Sequence, residues 1–476
     1  MYKREFNRTK IVATIGPASQ GKETLKKLIF AGLDVCRLNF SHGEHSVHLQ
    51  NLKDIRELNE ELNSNVCILQ DLQGPKLRVG NMGQGVNLKT GSTIKITHQK
   101  ITSSSEQIHV VYPKLTQEVK TGERVLLDDG NLEIKVSKKI DDHTLEANVI
   151  QGGLLKSNKG FNLPESNLSV PSLTKKDLID LEFGLENDVE WIALSFVRNA
   201  QDIKNLRKII KARKKDTRIV AKIEKPEAIL DIDNIIQEAD GIMVARGDLG
   251  VEIEQQKVPL IQKDIVDKCL KAAKPVIIAT QMMESMIESS RPTRAEVNDV
   301  ANAVLDGTDA VMLSAETSVG KFPIKAVEIM SHIIEDVEKS KGVYYKGEKP
   351  KKKSKTFLSD EICFTAVRMS DHIKAKSIIG MTTSGYSATK ISSYRPEAHI
   401  FIFTHNLSLL NALNLVWGVR GFYYDRYEST DKTFSDVMEI LKMNNVVEKG
   451  DLILHTASMP IHKRSRANTI KISMID

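Results

Sequence analysis

Eight short apolar runs separated by amphipathic stretches, one overlong gap among them, and a second helix-strand alternation beyond a lysine-rich stretch predict an α/β protein. The predicted architecture is a (β/α)8 TIM barrel with an inserted all-β lid domain and a C-terminal α/β domain. The runs are IVATI (11–15), VCRLN (35–39), VCILQ (66–70), WIALS (191–195), IVAKI (219–223), IMVA (242–245), PVIIA (275–279) and AVMLS (310–314). They are rich in Val and Ile, too short for helices and apolar on both faces, as a parallel sheet covered by helices requires. Each ends in or beside a polar or charged residue: Thr14, Asn39, Asp71, Ser195, Glu224, Arg246, Thr280 and Ser314. An open doubly wound sheet is the alternative, but eight units with polar strand ends favour closure.

The gap from Asp71 to Ser195 is 124 residues, where the other spacings run from 22 to 34. Within it, residues 74–170 show alternating β-branched pieces such as STIKIT and NLEIKVS, turn signals at Asp129-Gly130 and Gly152-Gly153, and little helical periodicity. Setting these 97 residues aside leaves 27, the common repeat. The predicted domains are therefore a (β/α)8 barrel over 1–73 and 171–345, an inserted β-barrel lid domain over 74–170, a lysine-rich linker over 346–355 and a C-terminal α/β regulatory domain over 356–476. The barrel closes with a helix in FPIKAVEIMSHIIEDVEKS (322–340), and KGVYYKGEKPKKKSK reads as a solvated linker or frayed helix end. Beyond it, DEICFTAVRMSDHI, SIIGMT, YSATKISSY, HIFIFT and GDLILHTAS alternate helix and strand.

Composition narrows the classes. The 476 residues are 41% hydrophobic, with 68 Lys+Arg against 62 Asp+Glu, a net charge of +6 that excludes a disordered chain. Residues 339–355 hold eight lysines and one glutamate, so the remaining chain is at −1 and the basicity belongs to one stretch. Without aromatic RNA-binding signatures, that tract is not read as a nucleic-acid or anionic-lipid site. The four cysteines lie far apart without CxxC spacing, which predicts buried reduced thiols. The N-terminus lacks the roughly 7 to 15 apolar residues of a signal peptide. No window approaches the roughly 20 of a membrane span. A soluble cytoplasmic protein is expected.

In such a barrel the strand ends converge on one site. After the fifth strand come Lys222 and Glu224, and after the sixth Arg246 and Asp248 in ARGDLG. Two carboxylates from adjacent strands suit Mg2+, which completes its octahedron from water and ligand. The alternative is that these four residues are structural salt bridges capping the barrel. Arg37 and Lys222 bring positive charge for a phosphate or an enolate-forming acid, and Gly247-Asp248 opens a short helix whose N–H groups suit a carboxylate. Thr280 and Ser314 offer hydroxyls for the site or for capping the next helix. No G-x-x-x-x-G-K-[ST] occurs, since Gly320-Lys321 precedes Phe322, and no G-x-G-x-x-G opens a helix, which disfavours P-loop and Rossmann nucleotide sites.

The blocks TKIVATIGPAS (9–19), VCRLNFSHG (35–43), DLQGPKLR (71–78), AKIEKPEAI (221–229), DGIMVARGDLGVEI (240–253), ATQMMESM (279–286), PTRAEVNDVANAVLDGTDAVMLSAET (292–317) and KFPIKAVEIM (321–330) resemble, in order, those of the pyruvate kinase family. The resemblance implies phosphoryl transfer from phosphoenolpyruvate to ADP, giving pyruvate and ATP as the final step of glycolysis. It implies Mg2+ (or Mn2+) on Glu224 and Asp248, Lys222 on the phosphoryl group, and Arg37 on the substrate phosphate. Gly247, Asp248 and Thr280 fall on positions contacting the pyruvate part, with Ser195, Phe196 and Ser314 lining the pocket. Arg78 and Lys159, one at each lid hinge, fall on nucleotide-phosphate contacts, with Thr14, Pro17 and His42 nearby. Protonation of enolpyruvate is expected through water ending near Thr280 and Ser314.

The block DLQGPKLRV resembles the potassium-independent branch. The family's monovalent-cation positions match Asn39, Ser41, Asp71 and the carbonyl of Leu72, and Lys76, standing where others carry Glu, is expected to replace the K+ charge. Phe161 in KGFNLP stands where Val is usual, at the lid hinge. The family also implies a homotetramer and an effector, a sugar phosphate or nucleotide, in the C-terminal domain, where the turn TTSGYS (382–387) suits a phosphate or is an ordinary N-capped turn. The stretch SMPIHKRSRANTIKI departs from the usual Gly-rich loop and leaves the effector open. A Mg2+-dependent pyruvate lyase or aldolase on a related barrel is the alternative function, although it would need neither the lid nor Arg78.

Overall fold

The computed structural model describes residues 6–166, 168–352, 354–426, 429–459 and 466–476; Lys353 of the lysine tract and 460–465 of the C-terminal stretch lie outside the described residues. All eight runs are strands of one closed parallel barrel: β1 (Lys10–Ile15), β2 (Val35–Asn39), β3 (Cys67–Asp71), β4 (Trp191–Leu194), β5 (Arg218–Ile223), β6 (Gly241–Ala245), β7 (Val276–Ala279) and β8 (Ala310–Leu313). They neighbour one another in chain order, and β8 closes on β1 with Ile11 opposite Val311.

The period-two alternation of a strand splits each run between two packing layers. Val12, Val35, Leu69, Trp191, Ala193, Val220, Met243, Ile277 and Met312 pack together inside the barrel. Ile11, Ala13, Cys36, Ile68, Ile192, Ile219 and Ala221 pack outward under the helices. Continuing the inward register by two residues reaches Thr14, Arg37, Asp71, Ser195 and Lys222. The fold thus delivers polar side chains to the mouth without any change of pattern.

At the opposite rim an acidic residue precedes each even-numbered strand and accepts a backbone N–H from the odd strand before it. Ile11 N donates to Asp34 (2.9 Å), Ile68 N to Glu190 (2.9 Å), Ile219 N to Asp240 (2.9 Å) and Val276 N to Asp309 (3.1 Å). Three of these acids also receive the C-terminal domain. Asn414 bonds the Asp34 carbonyl, Asn411 bonds Glu190, and Asp309 takes Arg395 at 2.9 Å and the Trp417 N–H at 3.1 Å. Ala412 and Leu415 complete the interior layer from below.

In place of the expected closed β-barrel, the described residues of the insertion form a six-stranded sheet, whose strands include Thr93–Thr97, Leu132–Lys139 and Thr144–Gln151, and a separate two-stranded sheet of Val86–Leu88 with Gly153–Leu155. Asp129-Gly130 makes the expected hairpin turn, between Arg124–Leu127 and Leu132–Lys139. Gly152-Gly153 does not: it carries the chain from the larger sheet to the smaller, and a Cβ on Gly152 would lie 2.1 Å from the Leu88 carbonyl oxygen. The C-terminal domain is a five-stranded sheet in the order 419–423, 399–404, 377–381, 452–457, 469–474, with only the last strand antiparallel. Sequence reading missed Val419–Tyr423 and Thr469–Met474. All four cysteines are buried and free.

Candidate active site

The buried ends of β1, β2, β3 and β5 form one connected polar cluster. Arg37 Nε donates to Asp71 Oδ2 (2.7 Å) and its Nη1 to Thr14 Oγ1 (2.8 Å), whose hydroxyl in turn donates to the Leu313 carbonyl. Lys222 Nζ lies 2.9 Å from Glu224 Oε1, 3.2 Å from Asp71 Oδ1 and 2.7 Å from Ser195 Oγ. Burial would raise the Asp71 pKa, but Lys222 and Arg37 overcome it and hold the carboxyl below its usual range. Burial pushes Glu224 up, with like charge from Asp248 adding and Lys222 opposing.

Glu224 is fixed by its second oxygen, which accepts the Phe196 N–H at 2.7 Å. Phe196 itself has φ +53, and a Cβ on the neighbouring Gly74 would meet its ring at 2.9 Å. Thr280 has φ +67, an outlier for a β-branched residue and the kind of strain that collects at functional sites. Its Oγ1 accepts the Gly247 N–H at 2.7 Å, so that N–H, expected to face a ligand carboxylate, is already used. Arg246 is committed to Asp299 (2.7 Å) and to the Thr280 carbonyl (2.8 Å), holding the strained turn. Asp299 was not foreseen, because nothing in NDV marks it as a partner of Arg246. Ser314 Oγ is buried with no hydrogen-bond partner, so it does not cap the following helix; Glu316 accepts its N–H instead.

The remaining expected residues lie on the connections to the insertion and on the loops after β1 and β2. Arg78 and Lys159 lie on the two chains joining barrel and insertion, where Arg78 pairs with Gly160 and bonds the Asn158 carbonyl, and Lys159 pairs with Asp128 at 2.7 Å. Pro17 and His42 are exposed on the loops after β1 and β2. Of the monovalent-cation positions, Asn39 Oδ1 accepts the Ser41 N–H, the Leu72 carbonyl accepts Ser195 Oγ, and Asp71 serves Arg37 and Lys222. Lys76 pairs instead with Asp248 at 3.0 Å and with Asp129 at 3.8 Å.

Among the described residues no group of three or more His, Cys, Asp or Glu side chains is placed to hold a metal on its own. Two carboxylates nevertheless fit Mg2+, a hard cation that usually keeps several waters and substrate oxygens. Glu224 Oε1 is buried and lies 2.9 Å from the Lys222 ammonium, and a carboxylate oxygen has a further lone pair with which to serve a second cation.

The chain as a whole is similar to pyruvate kinases. The pyruvate kinase barrel domain matches residues 6–327 and the pyruvate kinase alpha/beta domain residues 360–473. The chain is 44% identical to pyruvate kinase 2 of Synechocystis sp. over 98% of its own length and 79% of the relative's, and 40% identical to the Geobacillus stearothermophilus enzyme over 98% and 80%. The crystal structure of a Cryptosporidium parvum pyruvate kinase superposes with a TM-score of 0.92 at 36% identity, covering 99% of this chain and 96% of that one. With its closed barrel, inserted sheet domain and C-terminal α/β domain, the chain belongs to the pyruvate kinase family, whose members are phosphotransferases.

Proposed function

We propose that the mouth of this barrel transfers the phosphoryl group of phosphoenolpyruvate to ADP, giving pyruvate and ATP in the cytoplasm. The observation that carries this reading is the buried Lys222 ammonium, held between Asp71, Glu224 and Ser195 and close to the Arg37 guanidinium. A loose phosphoryl-transfer transition state spreads charge over three oxygens, so fixed cations and positioning do most of the catalysis. Arg37, with two donors committed to Asp71 and Thr14, holds the substrate phosphate, and Lys222 faces the phosphoryl group in flight. Glu224 and Asp248 hold Mg2+, which supplies Lewis-acid polarisation of the phosphoryl oxygens when bound. Arg78 and Lys159 take the nucleotide phosphates. Thr280 and Ser314 end the water path that protonates enolpyruvate.

K+ is not required in this reading. Of the groups that would hold it, Asn39 Oδ1, Asp71 and the Leu72 carbonyl already have protein donors, which for Asp71 are the cations Arg37 and Lys222. Domains divide at 1–73 with 171–345, 74–170, 346–355 and 356–476, and the protein is a homotetramer with any sugar-phosphate or nucleotide effector at 382–387. Among the described residues no helix is long and apolar enough to cross a membrane.

A lactate-dehydrogenase-coupled assay with phosphoenolpyruvate and ADP tests the reading. Pyruvate is expected with Mg2+, at a rate changed less than about twofold by replacing K+ with tetramethylammonium. Absence of pyruvate overturns the reaction, and a large K+ activation overturns the potassium-independent assignment.

A further inference from the structure

Lys76 stands where β3 leads into the insertion, and its ammonium has two carboxylates within reach. Asp248 Oδ1 is 3.0 Å away on the barrel, and Asp129 Oδ1 is 3.8 Å away in the hairpin turn of the inserted domain. That turn carries three successive left-handed residues, Asp128, Asp129 and Gly130, with φ of 51°, 55° and 86°. Asp128 is already paired with Lys159 at 2.7 Å, whereas the Asp129 side chain is 60% exposed and has Lys76 as its ion-pair partner. Lys76, Asp129, Gly247 and Asp248 border one cavity of about 830 Å³, which gives the lysine stem room to turn. A lysine ammonium and a divalent cation compete for the same carboxylate oxygen, so whatever fills one position biases the other.

We propose that Lys76 is a two-position latch: Asp248 holds it in the metal-free protein, and it passes to Asp129 when a divalent cation takes Asp248. Metal binding thereby draws the 128–131 turn of the inserted domain toward the barrel. The inference rests on the reading of Asp248 as a metal ligand and extends it to how metal occupancy sets the lid.

The test is Mn2+ binding to the full chain without substrate, followed by electron paramagnetic resonance. Lys76→Met binds Mn2+ more tightly, by roughly fivefold or more. Asp129→Asn weakens binding in the wild-type background and has no effect in Lys76→Met, a coupling that simple loss of a charge does not produce. Hydrogen exchange of residues 128–131 slows on Mn2+ addition in the wild type and not in Lys76→Met. Additive effects of the two substitutions, or unchanged affinity in Lys76→Met, overturn the latch while leaving the metal site standing. Undiminished Mn2+ binding by Asp248→Asn overturns the metal reading and the latch with it.

Discussion

Lys222 Nζ sits 2.9 Å from Glu224 Oε1, two residues further along the same chain, with both side chains buried. Burial alone would lower the lysine's pKa, but Asp71 and Glu224 outweigh it and raise it, so the ammonium stays charged at any working pH. Lys222→Met therefore lowers kcat by about 10²- to 10³-fold. It also destabilises the fold by about 3 kcal/mol, because two buried carboxylates lose their shared cation. Steady-state kinetics and urea unfolding check both effects, and a loss of activity without loss of stability contradicts the shared-cation account.

Thr280 combines a left-handed backbone with a hydroxyl bonded to the Gly247 N–H. Thr280→Ala slows exchange of solvent protons into the pyruvate methyl group by about 10²-fold, the scale of a positioned proton-transfer group. Thr280→Ser, less strained at the positive φ because it is not β-branched and retaining the hydroxyl, keeps most of the rate. Nuclear magnetic resonance of the methyl protons reads the exchange, and a wild-type rate in Thr280→Ala removes Thr280 from the protonation path.

Arg395 and Asp309 join the C-terminal domain to the barrel through a buried pair at 2.9 Å, with the guanidinium over the Trp417 ring and a further bond to the Gly307 carbonyl. Arg395→Met leaves Asp309 buried and unpaired and costs about 3 to 5 kcal/mol. Adding Asp309→Asn recovers part of this, since the stranded charge is gone. Unfolding midpoints of the single and double variants check the coupling.

His455 is buried beside the Phe434 ring, 4.5 Å between centroids, and neither of its ring nitrogens has a hydrogen-bond partner. Burial, with Lys471 adding, lowers its pKa from 6.5 to about 4. Between these values the unfolded chain binds more protons than the folded one. The contribution of about 3 kcal/mol is thus complete above pH 6.5 and lost as pH falls toward 4. His455→Leu flattens the fall in melting temperature across this window, and His399, lowered likewise to about 4, leaves a residual slope. An unchanged slope in His455→Leu contradicts the assignment.

The mouth was legible in the sequence because a strand's register is rigid: once Val220 and Val35 face inward, so do Lys222 and Arg37. The opposite rim was not legible. Asp34, Glu190, Asp240 and Asp309 each stand alone before an apolar run, and single acids there read as solvated turn residues. Their repetition before every even strand was the available signal. The partner of Lys76 could not be read either, since Asp248 lies 172 residues away and meets it only through the position of the insertion. The strand Val419–Tyr423 escaped because VRGFY, with Arg420 and Gly421 inside it, lacks the β-branched apolar run that marked the others.

The most direct test of the central claim follows phosphorus itself. With Mg2+, phosphoenolpyruvate and ADP, 31P nuclear magnetic resonance is predicted to show the phosphoenolpyruvate signal replaced one for one by the γ-phosphorus of ATP, with the conversion abolished in Glu224→Gln. Release of inorganic phosphate in place of ATP, or no change in the phosphoenolpyruvate signal, would contradict the account.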